Sequence, residues 1–404
     1  MPETSPVTGL LLTGGGARAA YQVGVLEAIA EIRRGAGPAA GTGAGSPFQV
    51  ITGTSAGAIN AAALACGADS FDHVVAHIAE VWSQFRAEQV YKADSLSVIG
   101  SGARWRMLLG LGRFAANWMR VKPRSLLDNS PLAELLQRLV QLDRLPQLMK
   151  DGHVQALAVT ASSYSSGEHV TFFEAAVPME PWVRSQRISV RDRITHAHLL
   201  ASSAIPFVFP ATALPMQQDH IEYFGDGSMR QSAPIAAAIH LGAQRIVVIG
   251  AGRMHEPREA PGPNTHTGYP TMAQIAGHAL SSIFLDALAV DIERLHRVNH
   301  TLSLIPEAAR AASGLRPLDL LVISPSERLD VIAARHVDAL PGAVRYLLGG
   351  SKVAADVKGG ALASYLLFES AYTRELMALG RADAMSQRDE VLRFFGWSSP
   401  ASAA

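Results

Sequence analysis

Three short stretches of the chain carry the residue types that acyl-transfer chemistry needs. Gly53-Thr54-Ser55-Ala56-Gly57 sets a serine between two glycines. The apolar run 48–52 (FQVIT) enters it and the apolar run 58–65 (AINAAALA) leaves it. That is the form of a nucleophile elbow, in which the serine stands on a tight strand-to-helix turn and small neighbours let backbones crowd it. The helix N-terminus behind the serine favours the negative charge that develops on attack. With 35 glycines and 33 serines in 404 residues, chance alone gives G-x-S-x-G in roughly one such chain in four. The flanking strand and helix therefore carry the assignment, with Gly53 and Gly57 as the elbow glycines.

The second stretch is Gly14-Gly15-Gly16-Ala17-Arg18. Three glycines leave backbone N–H groups uncovered, and such a nest can hold an anion, including the oxyanion of an acyl transfer. Gly14, Gly16 and Ala19 also fit the dinucleotide pattern G-x-G-x-x-A, but that pattern asks for an acidic residue after the second strand. Here the second strand runs into Gly53-Thr54-Ser55 instead. The third stretch is Gly225-Asp226-Gly227-Ser228, after the short apolar run that ends in Phe224. Asp-Gly is often only a turn; close to an elbow serine, its carboxylate is a candidate base. A Ser-Asp-His triad stays open as an alternative. His240, His255, His266, His278, His296, His300 and His336 all follow Asp226, none with a distinguishing context.

The elements that must position these groups are legible from pattern. Residues 7–12 read as a buried strand, 19–33 as a helix, 48–52 as a second strand, and 56–65 as an apolar helix. Strand, glycine turn and helix, repeated, predict a parallel or mixed sheet covered by helices. Helical patterns follow at 71–88, at 131–141 after Ser130-Pro131, at 191–203 and at 271–297. Strand patterns fall at 153–161, 170–174, 221–224, 245–250, 302–305 and 318–324. Beyond that the chain reads as helix, at 327–336, 342–349, 361–379 and 383–395. Residues 253–270 form a long Pro/Gly-rich loop.

Composition narrows the function classes. Apolar residues are 48%, Lys+Arg and Asp+Glu are 35 each, mean hydropathy is +0.15, and the pI is near 7.3. The chain can bury a large core, and it lacks the basic field expected of a nucleic-acid binder. The single cysteine, Cys66, excludes an intramolecular disulfide and reads as a small buried hydrophobe. No stretch has the form of a signal peptide or reaches the ~18 apolar residues of a spanning helix. The expectation is a cytoplasmic protein or one peripheral to a membrane. Segment 104–121 (RWRMLLGLGRFAANWMRV) interleaves four arginines with apolar residues, and its Trp105 and Trp118 are candidates for membrane contact.

Taken together, the N-terminal strand into GGGxR, the GxSxG elbow, the segment 201–210 (ASSAIPFVFP) and the Asp-Gly pair resemble the patatin-like phospholipase family. The resemblance covers about residues 7–237. It implies a three-layer α/β/α fold with a central, mostly parallel sheet, plus C-terminal helices. It divides the chain into a catalytic core at 7–237, a continuation of the α/β core at 238–330 and a C-terminal helical region at 331–404. It implies a Ser-Asp dyad without histidine, with Ser55 as nucleophile and Asp226 as base. Gly14, Gly15 and Gly16 then form the oxyanion hole and Arg18 supports their loop. The implied substrates are acyl esters of phospholipids or lysophospholipids, cleaved without metal or cofactor. Ala19 and Ser228 depart from the family pattern, and both are small. Rival readings are a thioesterase or neutral-lipid or short-ester hydrolase on the same dyad, and a membrane-associated scaffold without turnover.

Overall fold

The computed structural model describes residues 6–40, 43, 45–92, 125–216, 220–229, 231–252, 272–347 and 360–397. Trp105, Trp118 and the 253–270 loop lie outside the described residues.

The sheet begins with β1 (Thr8–Leu12), β2 (Val50–Thr54) and β3 (Ala156–Ser163). It continues through β4 (His169–Ala175), β5 (Val183–Arg184), β6 (Arg187–Arg191), β7 (Thr212–Pro215) and β8 (Ile221–Asp226), and ends with β9 (Arg245–Ile249) and β10 (Asp319–Ile323). The strand order is β10-β9-β1-β2-β3-β4-β6-β5, with β8 paired to β3 and to β7. The run from β10 to β3 is parallel throughout. Parallel strands need cover on both faces, which is why TGLLL of β1 is a continuous apolar run. Leu10 and Leu12 enter one core cluster, and Leu11 enters the other, on the opposite face. On the first face lie α1 (Ala20–Gly35), α2 (Ala56–Ala65) and α3 (Phe71–Ser83), together with helices from the C-terminal region. The second cluster includes Leu288 and Ile292 of the long helix Met272–Leu304.

Several expectations from pattern are corrected. Residues 302–304 are the end of the Met272–Leu304 helix, and the expected strand 302–305 is absent. Nothing breaks that helix before Pro306, which starts a new element, and Asn299 on its last turns exchanges hydrogen bonds with the Leu318 backbone. The 361–379 helix is two helices, Gly360–Leu366 and Ser370–Ser386, with an extended Glu369 between them. The Glu369 carboxylate accepts the Ala87 N–H at 3.1 Å. Strands β5 and β7 and most of β6 had no expectation; the helix expected over 191–203 starts only at His196, and Arg191 ends β6 instead.

One feature of register positions the chemistry. On β3, Thr160 pairs with Thr54, the last residue of β2, and the next residue, Ala161, pairs with Asp226, the last residue of β8. β2 runs parallel to β3 and β8 runs antiparallel. The two strands thus occupy the same side of β3 and meet end to end, one residue step of about 3.3 Å apart.

Candidate active site

Ser55 follows β2 directly and caps α2 with φ 56° and ψ −133°. A left-handed φ is costly for a serine and marks a site where the surroundings overdetermine the backbone. Two features hold it. The Ser202 hydroxyl accepts the Ser55 N–H at 2.8 Å and donates to the Thr160 carbonyl at 2.6 Å, which ties the turn to β3. Gly57 has no room for a side chain, since a Cβ there would run into the Leu12 and Thr13 carbonyls. That close approach sets the start of α2 against the chain that enters Gly14-Gly15-Gly16.

Asp226 comes to Ser55 from the other strand end. The Ser55 hydroxyl donates to Asp226 Oδ2 at 2.6 Å, and the Ser228 N–H donates to Oδ1 at 2.9 Å. Ser55 is 1% exposed and Asp226 is 0% exposed. Burial pushes the Asp226 carboxyl up to about 6, against the pull of the Ser55 and Ser228 hydrogen bonds, which favour the charged form. Its backbone is pinned too: the Asp226 N–H donates to the Ala204 carbonyl and the Gly227 N–H to the Ser202 carbonyl. His169 Nε2 lies 3.0 Å from the Gly227 carbonyl. Burial lowers His169 to about 4, so its ring is neutral near pH 7 and donates this bond.

No histidine among the described residues hydrogen-bonds to Ser55 or Asp226. His240 stacks on Trp182, and His336 bonds Glu375. His255 and His266 lie outside the described residues, as does the His278 side chain.

The glycine loop after β1 is buttressed from far along the chain. Gly16 has φ +53°, and a Cβ there would collide with the Tyr365 carbonyl. Arg18, buried, donates from Nε to Ser364 Oγ at 2.8 Å and stacks 4.1 Å over the Tyr365 ring. Below the loop, Gln22 Nε2 donates to the Thr13 carbonyl, Asn60 Nδ2 donates to Gln22 Oε1, and Trp82 Nε1 donates to Asn60 Oδ1. This buried chain of amides joins the loop to α1, α2 and α3. Pattern reading missed Ser202, His169, Gln22 and Asn60. Their roles depend on partners distant in sequence: segment 201–210 stands out as a motif, but nothing local assigns Ser202 its role, and no local motif announces the other three.

Gly16 and Ser55 line one narrow cavity of about 70 Å³. α2 supplies one wall through Ala56, Ile59 and Ala63. Ile78, Val81 and Trp82 of α3 supply another, and Leu132, Leu135 and Leu139 of the helix Ser130–Leu139 a third. A hydroxyl bonded to a buried carboxylate, opening on an apolar channel beside a glycine loop, can attack a carbonyl whose chain lies in that channel.

Among the described residues, no helix is long and apolar enough to cross a membrane. Among solved structures, the chain is similar to VipD from Legionella pneumophila at 12% identity, over 96% of this chain and 67% of that one, with a TM-score of 0.31. No curated protein matches it. The family model of the patatin-like phospholipases matches residues 10–239, more than half of the chain, from within β1 to beyond Asp226. The chain belongs to the patatin-like phospholipase family, and it is a lipid acyl hydrolase.

Proposed function

We propose that the protein cleaves acyl esters of phospholipids or lysophospholipids through a Ser55-Asp226 dyad. The observation that carries this reading is the 2.6 Å hydrogen bond from Ser55 Oγ to a fully buried Asp226 at the apolar channel. Asp226 takes the Ser55 proton as Oγ attacks the acyl carbonyl. Negative charge then builds on the carbonyl oxygen, and the N–H groups of Gly14, Gly15 and Gly16 are the proposed donors to it. Gly16 lines the same channel as Ser55, which supports that role. The tetrahedral intermediate collapses as Asp226 returns its proton to the leaving alkoxide, and an acyl-serine remains. Water, deprotonated by Asp226, cleaves the acyl-serine in the same manner and restores the free hydroxyl. Arg18 acts by holding the glycine loop against the C-terminal helices, so the reading joins the 331–404 region to the catalytic core.

A fluorophosphonate probe tests the nucleophile. Wild type should gain one covalent adduct, mapped by peptide mass spectrometry to Ser55, and Ser55→Ala should gain none. An adduct on another residue, or full labelling of Ser55→Ala, would remove Ser55 from the mechanism.

A further inference from the structure

We infer that the Ser228 hydroxyl is a positioning group for Asp226 in the acyl-enzyme: it turns onto the carboxylate once Ser55 is acylated and keeps it charged for the attack of water. The inference rests on the Ser55-Asp226 reading, because only acylation of Ser55 takes a donor away from Asp226.

Ser228 is 3% exposed, in the turn that follows β8. Its N–H donates to Asp226 Oδ1 at 2.9 Å. The backbone of that turn is held on both sides. The Gly227 N–H donates to the Ser202 carbonyl, the Met229 N–H to the Asp226 carbonyl, and the Ser162 hydroxyl to the Met229 carbonyl. What remains free to turn is the Ser228 side chain, about χ1. Among the described residues its hydroxyl has no hydrogen-bond partner. Buried polar groups are nearly always paired, so an unpaired one calls for a reason. The carboxylate beside it supplies one. Oγ hangs from the same residue as the N–H bound to Oδ1, so a rotation aims it at that oxygen. It already lies close enough to draw the Asp226 carboxyl towards the charged form. A carboxylate oxygen can accept two hydrogen bonds, so Oδ1 takes both donors and Oδ2 stays open.

The resting site does not need the second donor, because the Ser55 hydroxyl donates to Oδ2 at 2.6 Å. Acylation removes it. Ser55 Oγ is then an ester oxygen with no proton to give. Asp226 has returned its proton to the leaving alkoxide, and it stands charged and out of water. Loss of a donor pushes a buried carboxyl up, and a protonated Asp226 cannot take a proton from water. The Ser228 hydroxyl makes good the lost donor. Oδ2 takes a proton from water as the water oxygen attacks the acyl carbonyl. The intermediate collapses as that proton passes to Ser55 Oγ, and the carboxylic acid leaves.

The titratable groups on the elements around β8 are otherwise engaged. β3 and β7 carry none. Tyr164, just after β3, donates to Met229 Sδ, and burial pushes its pKa up. His169 of β4 is neutral on the Gly227 carbonyl. In the helix His196–Ser202, His196 bonds the Val140 carbonyl and His198 bonds Thr195. On β8 itself, Glu222 is held by Ser163, Ser166 and His220, and Tyr223 is exposed.

The test follows release of the acyl group. Protein in excess is acylated with p-nitrophenyl butyrate at pH 5 and jumped to values between pH 5 and 9, and loss of the acyl mass is read by mass spectrometry. In Ser228→Ala and Ser228→Gly the pH limb of release should lie about one unit above that of wild type, as expected for one hydrogen bond to a charged group. Release near pH 6 then slows about tenfold and matches wild type at pH 9. The limb of acylation should move less, because Ser55 still donates there. A merely structural loss would slow release by the same factor at every pH. A second measurement needs no acyl-enzyme. Ser55→Ala lacks the same donor, and in that background the carbon-13 carboxyl resonance of Asp226 should titrate about one unit higher when Ser228→Ala is added. A release limb that moves no more than the acylation limb, or an Asp226 titration unmoved by Ser228→Ala, would overturn the inference and leave the dyad standing. An acyl group mapped to a residue other than Ser55 would overturn the dyad itself.

Discussion

Asp226 lies out of contact with water, with its two carboxylate oxygens taken by the Ser55 hydroxyl and the Ser228 N–H. Burial raises it from 3.8 to about 6, so between about pH 4 and 6 the folded protein holds a proton that the unfolded chain has lost. The sign follows from linkage: this group favours the folded state most below about pH 4, and that contribution is lost as pH rises through 6. Above pH 6 the fold carries a buried charge at a cost on the order of 3 kcal/mol, by 1.36 kcal/mol per unit. Asp226→Asn keeps the shape. Its oxygen can accept from the Ser228 N–H, and its amide can donate to Ser55 Oγ. Ester hydrolysis in this variant should fall by about 10²–10⁴-fold. Its urea midpoint should match wild type at pH 4 and exceed it at pH 8. A variant less stable than wild type at pH 8 would mean that Asp226 is not a strained carboxylate. The serine, the aspartate and the glycines were all legible, because each sits in a local pattern of small residues. That burial would raise the basicity of Asp226 was foreseeable, but that its burial is complete was not, since it is set by β3 and by the chain at 202–204, remote in sequence.

At the level of elements, two strand ends meet on β3, and Ser202 fastens the junction. Removing its hydroxyl leaves the buried Ser55 N–H unpaired and takes a donor from the Thr160 carbonyl. Ser202→Ala should cost about 1–3 kcal/mol of stability by urea unfolding. It should lower kcat more than it raises KM, because the elbow loosens while the channel keeps its walls. A wild-type kcat would show that the turn holds its φ without Ser202. The β1–α1 and β2–α2 units were readable because each pairs a buried run with a glycine turn and a helical stripe. β8 was readable only to Phe224, since Gly225 and Asp226 look like a turn. In fact they extend the strand to the point where it meets β2. The edge strands β5 and β7 are short and largely exposed, so hydrophobic alternation had nothing to mark.

Across the whole molecule, the C-terminal helices are built into the catalytic core. The helix Ser370–Ser386 crosses α1 at a contact so close that Gly24 abuts the Met377 carbonyl and Gly380 the Tyr21 carbonyl. The Tyr21 hydroxyl bonds Asp383 at 3.0 Å, the Tyr91 hydroxyl bonds the Leu366 carbonyl at 2.9 Å, and Thr373 donates to the Trp82 carbonyl at 2.7 Å. Arg18 and Gly16 rest on Ser364 and Tyr365. The buried side chains of Tyr365, Leu366, Leu367, Phe368, Tyr372 and Leu376 are each worth about 1.5–3 kcal/mol. Their sum reaches the ~5–15 kcal/mol of a typical domain. A chain cut after residue 359 should therefore show no cooperative thermal unfolding and no ester hydrolysis. A truncated chain that melts cooperatively and stays active would make the C-terminal helices an accessory. Sequence marked these segments as helical but not where they dock, because a Gly24–Gly380 crossing pairs positions hundreds of residues apart.

The most direct test of the Ser55-Asp226 account is the pH dependence of acyl-enzyme formation. It would be followed as the burst of p-nitrophenol from a soluble short-chain ester between pH 4 and 9. Asp226 must be ionised to accept the Ser55 proton, so the wild-type rate should rise through one ionisation near pH 6 and stay level above it. Asp226→Asn should lose that limb together with most of the rate. A wild-type limb that survives in Asp226→Asn, or that disappears when a single histidine is replaced, would contradict the dyad.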